Sequence, residues 1–168
     1  TSHFLTLFEG KNTEYLTMYG QTEASPRISY VPYARAKEKV GSIGIPIDIG
    51  TLETDASDKL SEGELIYKGP NVCLGYATNR FDLLLGDENN GVLFTGDVGL
   101  IDSEGFATIV GRKKRFAKVF GMSVNLDALE SMAKNTVEKS AVIARDDLIV
   151  VVEAEGRAKE LRELLLSK

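Results

Sequence analysis

The sequence predicts an α+β protein, a β-rich unit followed by a small α+β unit, and three observations lead there. From Val40 to Val110 short apolar runs alternate with Gly, Pro, Asn and Asp, the texture of strands joined by turns. At Gly111 the composition shifts to a compact basic stretch, Gly111-Arg112-Lys113-Lys114-Arg115. Beyond it, strand-sized apolar runs alternate with two segments whose apolar residues recur at helical spacing. The expected boundaries are 1–110 for the first unit, 111–114 for a joint and 115–168 for the second unit.

Each element follows from local pattern. Phe4, Leu5, Leu7 and Phe8 predict a short first helix, with a strand around Tyr15 to Met18. Residues 20–40, which carry Pro26, Pro32 and several Lys and Arg, read as polar and turn-rich. Strands are expected over Ile47–Glu53, Gly63–Lys68, Val92–Thr95, Val98–Asp102 and Ala107–Val110. Asp87–Gly91 and Asp102–Gly105 have turn chemistry. Past the basic stretch, Phe116–Val119 and Met122–Val124 form a strand pair joined through Gly121. Asn125 is a suitable N-cap for a helix whose apolar face is Leu126, Leu129, Met132 and Ala133, with Val124 and Leu129 placed as a hydrophobic staple. Strands at Ser140–Ala144 and Leu148–Glu153 precede a terminal helix. In that helix Ala158, Leu161, Leu164 and Leu165 keep helical spacing up to Ser167-Lys168 with no Gly or Pro stop, and the chain starts at Thr1 rather than Met, so a piece of a longer protein is expected.

Composition narrows the function classes. A hydrophobic share of 43% beside 27% charged residues is a globular balance. The longest aliphatic run, Leu148–Val152, is too short for a bilayer, and Thr1–Gly10 lacks the pattern of a signal peptide. A net charge of −5 disfavours a nucleic-acid or anionic-membrane surface. Cys73 is the only cysteine, which excludes an internal disulfide and suits a reducing cytoplasm. His3 is the only histidine, which disfavours a Ser-His-Asp machine or a histidine-rich metal site.

Four local features carry chemistry. In Met18-Tyr19-Gly20-Gln21-Thr22-Glu23, an aromatic ring can stack on a base, and a glycine admits close backbone approach. There too, a hydroxyl can donate to phosphate, and a carboxylate suits Mg²⁺. A strand end with an ordinary polar turn is the competing reading. Gly63-Glu64-Leu65, continuing through Gly69-Pro70 to Gly75-Tyr76, is a strand, a turn and a return with no chemistry assigned; Cys73 within it reads as a small buried hydrophobe. In Thr95-Gly96-Asp97, a carboxylate at a strand end between glycines can receive both hydroxyls of a ribose, or be a solvated turn aspartate. The basic run at Gly111–Arg115, continuing to Lys118 and Gly121, reads as a joint between units or a solvated face.

Together, and in this order, the four resemble the motifs of the adenylate-forming superfamily, which includes acyl- and aryl-CoA synthetases, nonribosomal-peptide adenylation domains and beetle luciferases. The family pattern runs Y-G-x-T-E, G-E-L with a later G-Y, T-G-D, then G-R-x-[DK]-x-x-[IV]-K-x-x-G, and the chain follows it from Tyr19 to Gly121. The resemblance implies the β-rich, barrel-like end of a large AMP-binding domain followed by a small C-terminal lid domain. It implies that Tyr19 stacks on adenine, Gly20 and Thr22 line the phosphate side, and Glu23 holds Mg²⁺. It gives the ribose to Asp97 and Arg112, a hinge to Lys114, and a place facing the active site during thioester formation to Lys118 and Gly121. Thr22, Glu23 and Lys118 are the implied catalytic residues.

The implied reaction activates a carboxylic acid with ATP as an acyl-AMP and passes the acyl group to CoA. Gln21 resembles the CoA-ligase branch more than the peptide-synthetase branch; the competing reading is an adenylation domain that loads a carrier protein. A non-catalytic nucleotide-binding module is the reading from another class. The chain departs from the pattern at Ala117 and at Val124-Asn125-Leu126, while Glu130 fits the family's helix acid. The phosphate loop and the C-terminal P-x-x-x-x-G-K-like stretch are not in these 168 residues. This piece alone is therefore expected not to adenylate.

Overall fold

The computed structural model describes residues 2–8, 10–11, 13–56, 61–145, 148–153 and 156–166. Only the backbone is described for Ser2 and residues 164–166. The architecture is α+β and strand-rich, and it divides into two compact units, Thr1–Val110 and Gly111–Lys168.

The first unit opens with α1 (Ser2–Phe8) and then β1 (Met18–Gly20), which begins where the expected strand at Tyr15–Met18 was to end. Between Pro26 and Pro32, in the stretch expected to be turn-rich, lies β2 (Arg27–Tyr30). Its Ile28 and Ser29 are fully buried, so long-range burial overrides a polar local composition. Two short strands, β3 (Ile45–Pro46) and β4 (Thr51–Thr54), replace the expected Ile47–Glu53 strand. The reason is a turn between them, in which Gly50 N donates to Ile47 O at 3.0 Å, leaving Asp48 and Ile49 exposed. After β5 (Gly63–Lys68) comes β6 (Val92–Ile101), one ten-residue strand where two were expected. A register shift opposite Glu64–Ile66 absorbs Thr95-Gly96 without ending it. β7 (Ala107–Arg112) follows the expected Asp102–Gly105 connection, where Gly105 N donates to Asp102 O at 3.0 Å.

Sheet order is β1-β2-β3 in one sheet and β4-β5-β6-β7 in a second, curled like half a barrel. A bridge between Gly44 and Ala107 links the two. Between them Ala24, Ile28, Tyr67, Val72 and Leu93 form a core, with Tyr19 and Leu52 against it. Burying an Ile or Leu side chain of this kind contributes about 1.5–3 kcal/mol.

The second unit contains β8 (Phe116–Val119), β9 (Met122–Asn125), α2 (Leu126–Lys134), β10 (Ser140–Arg145), β11 (Leu148–Glu153) and α3 (Ala158–Leu166). The β8–β9 hairpin turns at Phe120-Gly121, both with positive φ (48° and 82°). Asn125 caps α2 as expected: its Oδ1 accepts from Asp127 N at 2.9 Å and Ala128 N at 3.2 Å. Such a cap contributes about 1 kcal/mol. Ala133, Val137 and Leu161 form this unit's core, with Val151 packed against it. The expected run-on of α3 at Ser167-Lys168 lies outside the described residues, as does Thr1.

Candidate functional site

β1 ends against its neighbour. A Cβ on Gly20 would lie 1.7 Å from the carbonyl oxygen of Pro26, so only glycine lets the two backbones approach this closely. The chain then makes one 3₁₀ turn, Thr22–Ala24, closed by Ala24 N to Gln21 O at 3.0 Å and Ser25 N to Thr22 O at 3.2 Å. Ala24 is fully buried and anchors the turn in the core, which leaves Thr22 exposed and Glu23 half-buried.

Asp97 is neither at a strand end nor solvated. It lies inside β6 and is 2% exposed, which corrects the expected placement and removes the reading as a turn aspartate. Local hydrogen bonds aim it. Thr95 Oγ1 donates to Leu65 O at 2.8 Å and accepts from Asp97 N at 3.1 Å. Gly96, at φ 72°, turns its N–H onto Glu64 Oε1 at 3.0 Å. The carboxylate then accepts from the Tyr19 hydroxyl at 2.6 Å and from Gln21 Nε2 at 3.2 Å, both at Oδ2. Gln21 Nε2 also reaches Thr95 O at 2.8 Å and the Tyr19 hydroxyl at 3.1 Å. Burial, together with the Asp97 carboxylate, pushes the Tyr19 phenol far above its ordinary range, so it remains a proton donor.

Tyr19, Gln21, Thr95 and Asp97 thus meet at one point, joining the first and third motifs. Gln21 and Thr95 were given no role from sequence. Their roles are set by partners some seventy positions away, beyond any local pattern.

Glu23 accepts a hydrogen bond at Oε1 from the Tyr76 hydroxyl. That bond holds its carboxyl below the usual carboxylate range. Its own backbone N–H also stabilises the charged form. Among the described residues no group of three or more His, Cys, Asp and Glu converges there. A half-buried carboxylate beside the exposed Thr22 hydroxyl fits a magnesium ion that takes its other ligands from phosphate and water, as Mg²⁺ commonly does.

In the second unit Arg112, Lys114 and Lys118 are all exposed. Arg112 is the last residue of β7, Lys114 is the middle of a 3₁₀ turn over Lys113–Arg115, and Lys118 lies on β8 opposite Ser123. Arg115, part of the same basic run, points the other way. It donates to Asp127 Oδ1 at 2.6 Å, Glu130 Oε2 at 2.8 Å and Val142 O at 2.9 Å, tying the turn to α2 and β10. The run therefore mixes exposed cations with one structural arginine.

No family model matches the chain. It is 39% identical over 119 residues to a long-chain-fatty-acid–CoA ligase of Escherichia coli O157:H7, covering 68% of this chain and 21% of the relative. It is 38% identical over 99 residues to a 2-succinylbenzoate–CoA ligase of Bacillus cereus, covering 56% of this chain and 20% of the relative. Among solved structures, an o-succinylbenzoate coenzyme A synthetase from Bacillus subtilis in complex with AMP superposes with a TM-score of 0.69 at 25% identity, covering 99% of this chain and 37% of that one. The chain spans about a fifth of the length of the curated relatives it matches.

Proposed function

The chain belongs to the adenylate-forming superfamily that contains the AMP-forming acyl- and aryl-CoA ligases, and on that premise we propose that it supplies the nucleotide end of such a ligase. The whole enzyme activates a carboxylic acid with ATP as an acyl-AMP, releasing pyrophosphate, and then transfers the acyl group to CoA. The observation that carries this reading is the Tyr19–Asp97 hydrogen bond at 2.6 Å, which brings the Y-G-Q-T-E and T-G-D motifs to one point. CoA as acceptor is favoured by the names of the relatives, which are CoA ligases acting on different acids.

In this reading the Tyr19 ring stacks on adenine while Asp97 and Arg112 take the ribose hydroxyls. Gly20 and Thr22 line the phosphates, and Thr22 donates to one of their oxygens. Glu23 holds the magnesium ion, whose charge offsets that of the phosphates. Lys114 is the hinge between the units: the chain divides at Val110/Gly111, and a single exposed turn follows. Rotation there exchanges a pocket suited to attack on ATP for one that admits CoA and excludes water. Lys118 belongs to the second arrangement. A reducing cytoplasm is the compartment we assign, because Cys73 is the only cysteine in the sequence.

The test is ATP–pyrophosphate exchange by the full-length protein over a panel of carboxylic acids, with and without CoA. Acid-dependent exchange, converted to acyl-CoA when CoA is added, is the expected result. Failure of every acid in the panel to support exchange would overturn the reading in favour of a non-catalytic nucleotide-binding module.

A further inference from the structure

Resting on the reading of Glu23 as the magnesium ligand, we propose that the loop Gly69–Tyr76 is a clamp that positions Glu23, with Tyr76 orienting its carboxylate. The loop follows β5 and contains the G-P and G-Y pairs, to which the sequence assigned no chemistry.

The clamp starts in the core. Tyr67 is fully buried, and its hydroxyl donates to Asn71 Oδ1 at 2.8 Å, which fixes the amide so that its NH₂ faces the Thr22–Ala24 turn. Asn71 Nδ2 donates to Ala24 O at 2.5 Å and to Arg27 O at 3.1 Å. Cys73 N donates to Glu23 O at 2.8 Å. The Tyr76 hydroxyl donates to Glu23 Oε1. The backbone from Glu23 onward and the Glu23 carboxylate itself are therefore held by one loop.

The loop is itself held from behind. Gly69 N donates to Gly91 O at 2.9 Å, Glu88 N donates to Leu74 O at 2.8 Å, and Asn89 Nδ2 donates to Cys73 O at 2.7 Å. Val72, 6% exposed, sits in the core beside Ala24. Tyr76, by contrast, is 71% exposed, so packing does not explain where its ring lies; the bond to Glu23 does.

The consequence for a cation is direct. A glutamate alone on a surface turn must give up side-chain freedom when it binds a metal, and that loss weakens binding. Tyr76 takes Oε1 and fixes the rotamer beforehand, so the carboxylate meets the ion already oriented. A solvent-exposed pair chosen at random would contribute little. This pair differs because the same loop also fixes the turn's backbone.

The experiment titrates Mn²⁺, read by electron paramagnetic resonance, into the full-length protein with a non-hydrolysable ATP analogue. AMP affinity is measured separately without metal. Tyr76→Phe is expected to raise the half-saturating Mn²⁺ concentration roughly three- to tenfold, the worth of one hydrogen bond, and to leave AMP affinity unchanged. Asn71→Ala is expected to raise it as well; should that variant not fold, Tyr76→Phe decides alone. If Glu23→Gln weakens Mn²⁺ binding but Tyr76→Phe does not, the clamp is overturned and the metal reading stands. If Glu23→Gln leaves Mn²⁺ binding intact, the metal reading falls and the clamp's purpose with it. A Tyr76→Phe variant that loses Mn²⁺ and AMP affinity together would also overturn the proposal, because the phenol would then be holding the loop rather than the carboxylate.

Discussion

The hydroxyl of Tyr19 donates to Asp97 Oδ2 at 2.6 Å, across 78 positions of sequence. Because Asp97 is 2% exposed, water cannot readily replace a lost donor. Tyr19→Phe is therefore expected to destabilise the protein by about 1–3 kcal/mol, the cost of leaving a buried acceptor short of a partner. Urea unfolding measures it. An unchanged midpoint would mean that the carboxylate's other partners, Gln21 among them, satisfy it.

Asp97→Ala and Arg112→Ala, made in the full-length protein, are each expected to weaken AMP binding. Hydrogen bonds to a charged group contribute about 1.5–3 kcal/mol, so the loss for Asp97 should be tenfold or more. Isothermal titration with AMP reads both. Nucleotide affinity that survives in both variants would remove the ribose from these residues.

Lys114→Pro fixes φ at the turn between the units. The expected outcome is that ATP–pyrophosphate exchange persists while acyl-CoA formation falls sharply. Single-turnover measurements of the two half-reactions separate them, and an equal loss in both would place the hinge elsewhere.

Glu130 gives a pH dependence of stability. Lys134, the backbone N–H of Val142 and Arg115 hold its carboxyl at about 2, against an ordinary value of 4.5. A depressed carboxyl stabilises the fold fully above its unfolded value, and the contribution is lost as the pH falls through the folded one. The window is therefore pH 4.5 down to 2. Glu130→Gln should lower the melting temperature modestly at neutral pH and flatten its decline within that window. Thermal melts from pH 7 to pH 2 test this, and parallel curves for the two proteins would contradict it. Some slope should remain in the variant, because Asp102 and Glu104 are also held low by Lys39.

Where local chemistry decides structure, the sequence was readable. The Phe116–Asn125 hairpin, the Asn125 cap and the Asp102–Gly105 turn all depend on residues within a few positions of one another. The order of the four motifs was readable too, because it needs only spacing. β2 was not, since its two prolines and polar flanks say turn, while the burial of Ile28 and Ser29 is imposed by strands far along the chain. The site was half legible. Tyr19 and Asp97 could be named, but the bond between them could not, nor could Gln21 and Thr95 as the groups that complete it. Tyr76 shows the limit most plainly: an exposed aromatic in a glycine-flanked turn has no local signal, and its partner Glu23 is 53 residues away.

β1 has three residues, and among the described residues it pairs only with β2, leaving one side of the strand open beside the exposed Leu16 and Met18. Such a margin presents backbone N–H and C=O groups with which a further strand can pair. Met18→Lys would set a charge beside that margin, whereas changes in the basic run at Gly111–Arg115 would leave it as it is.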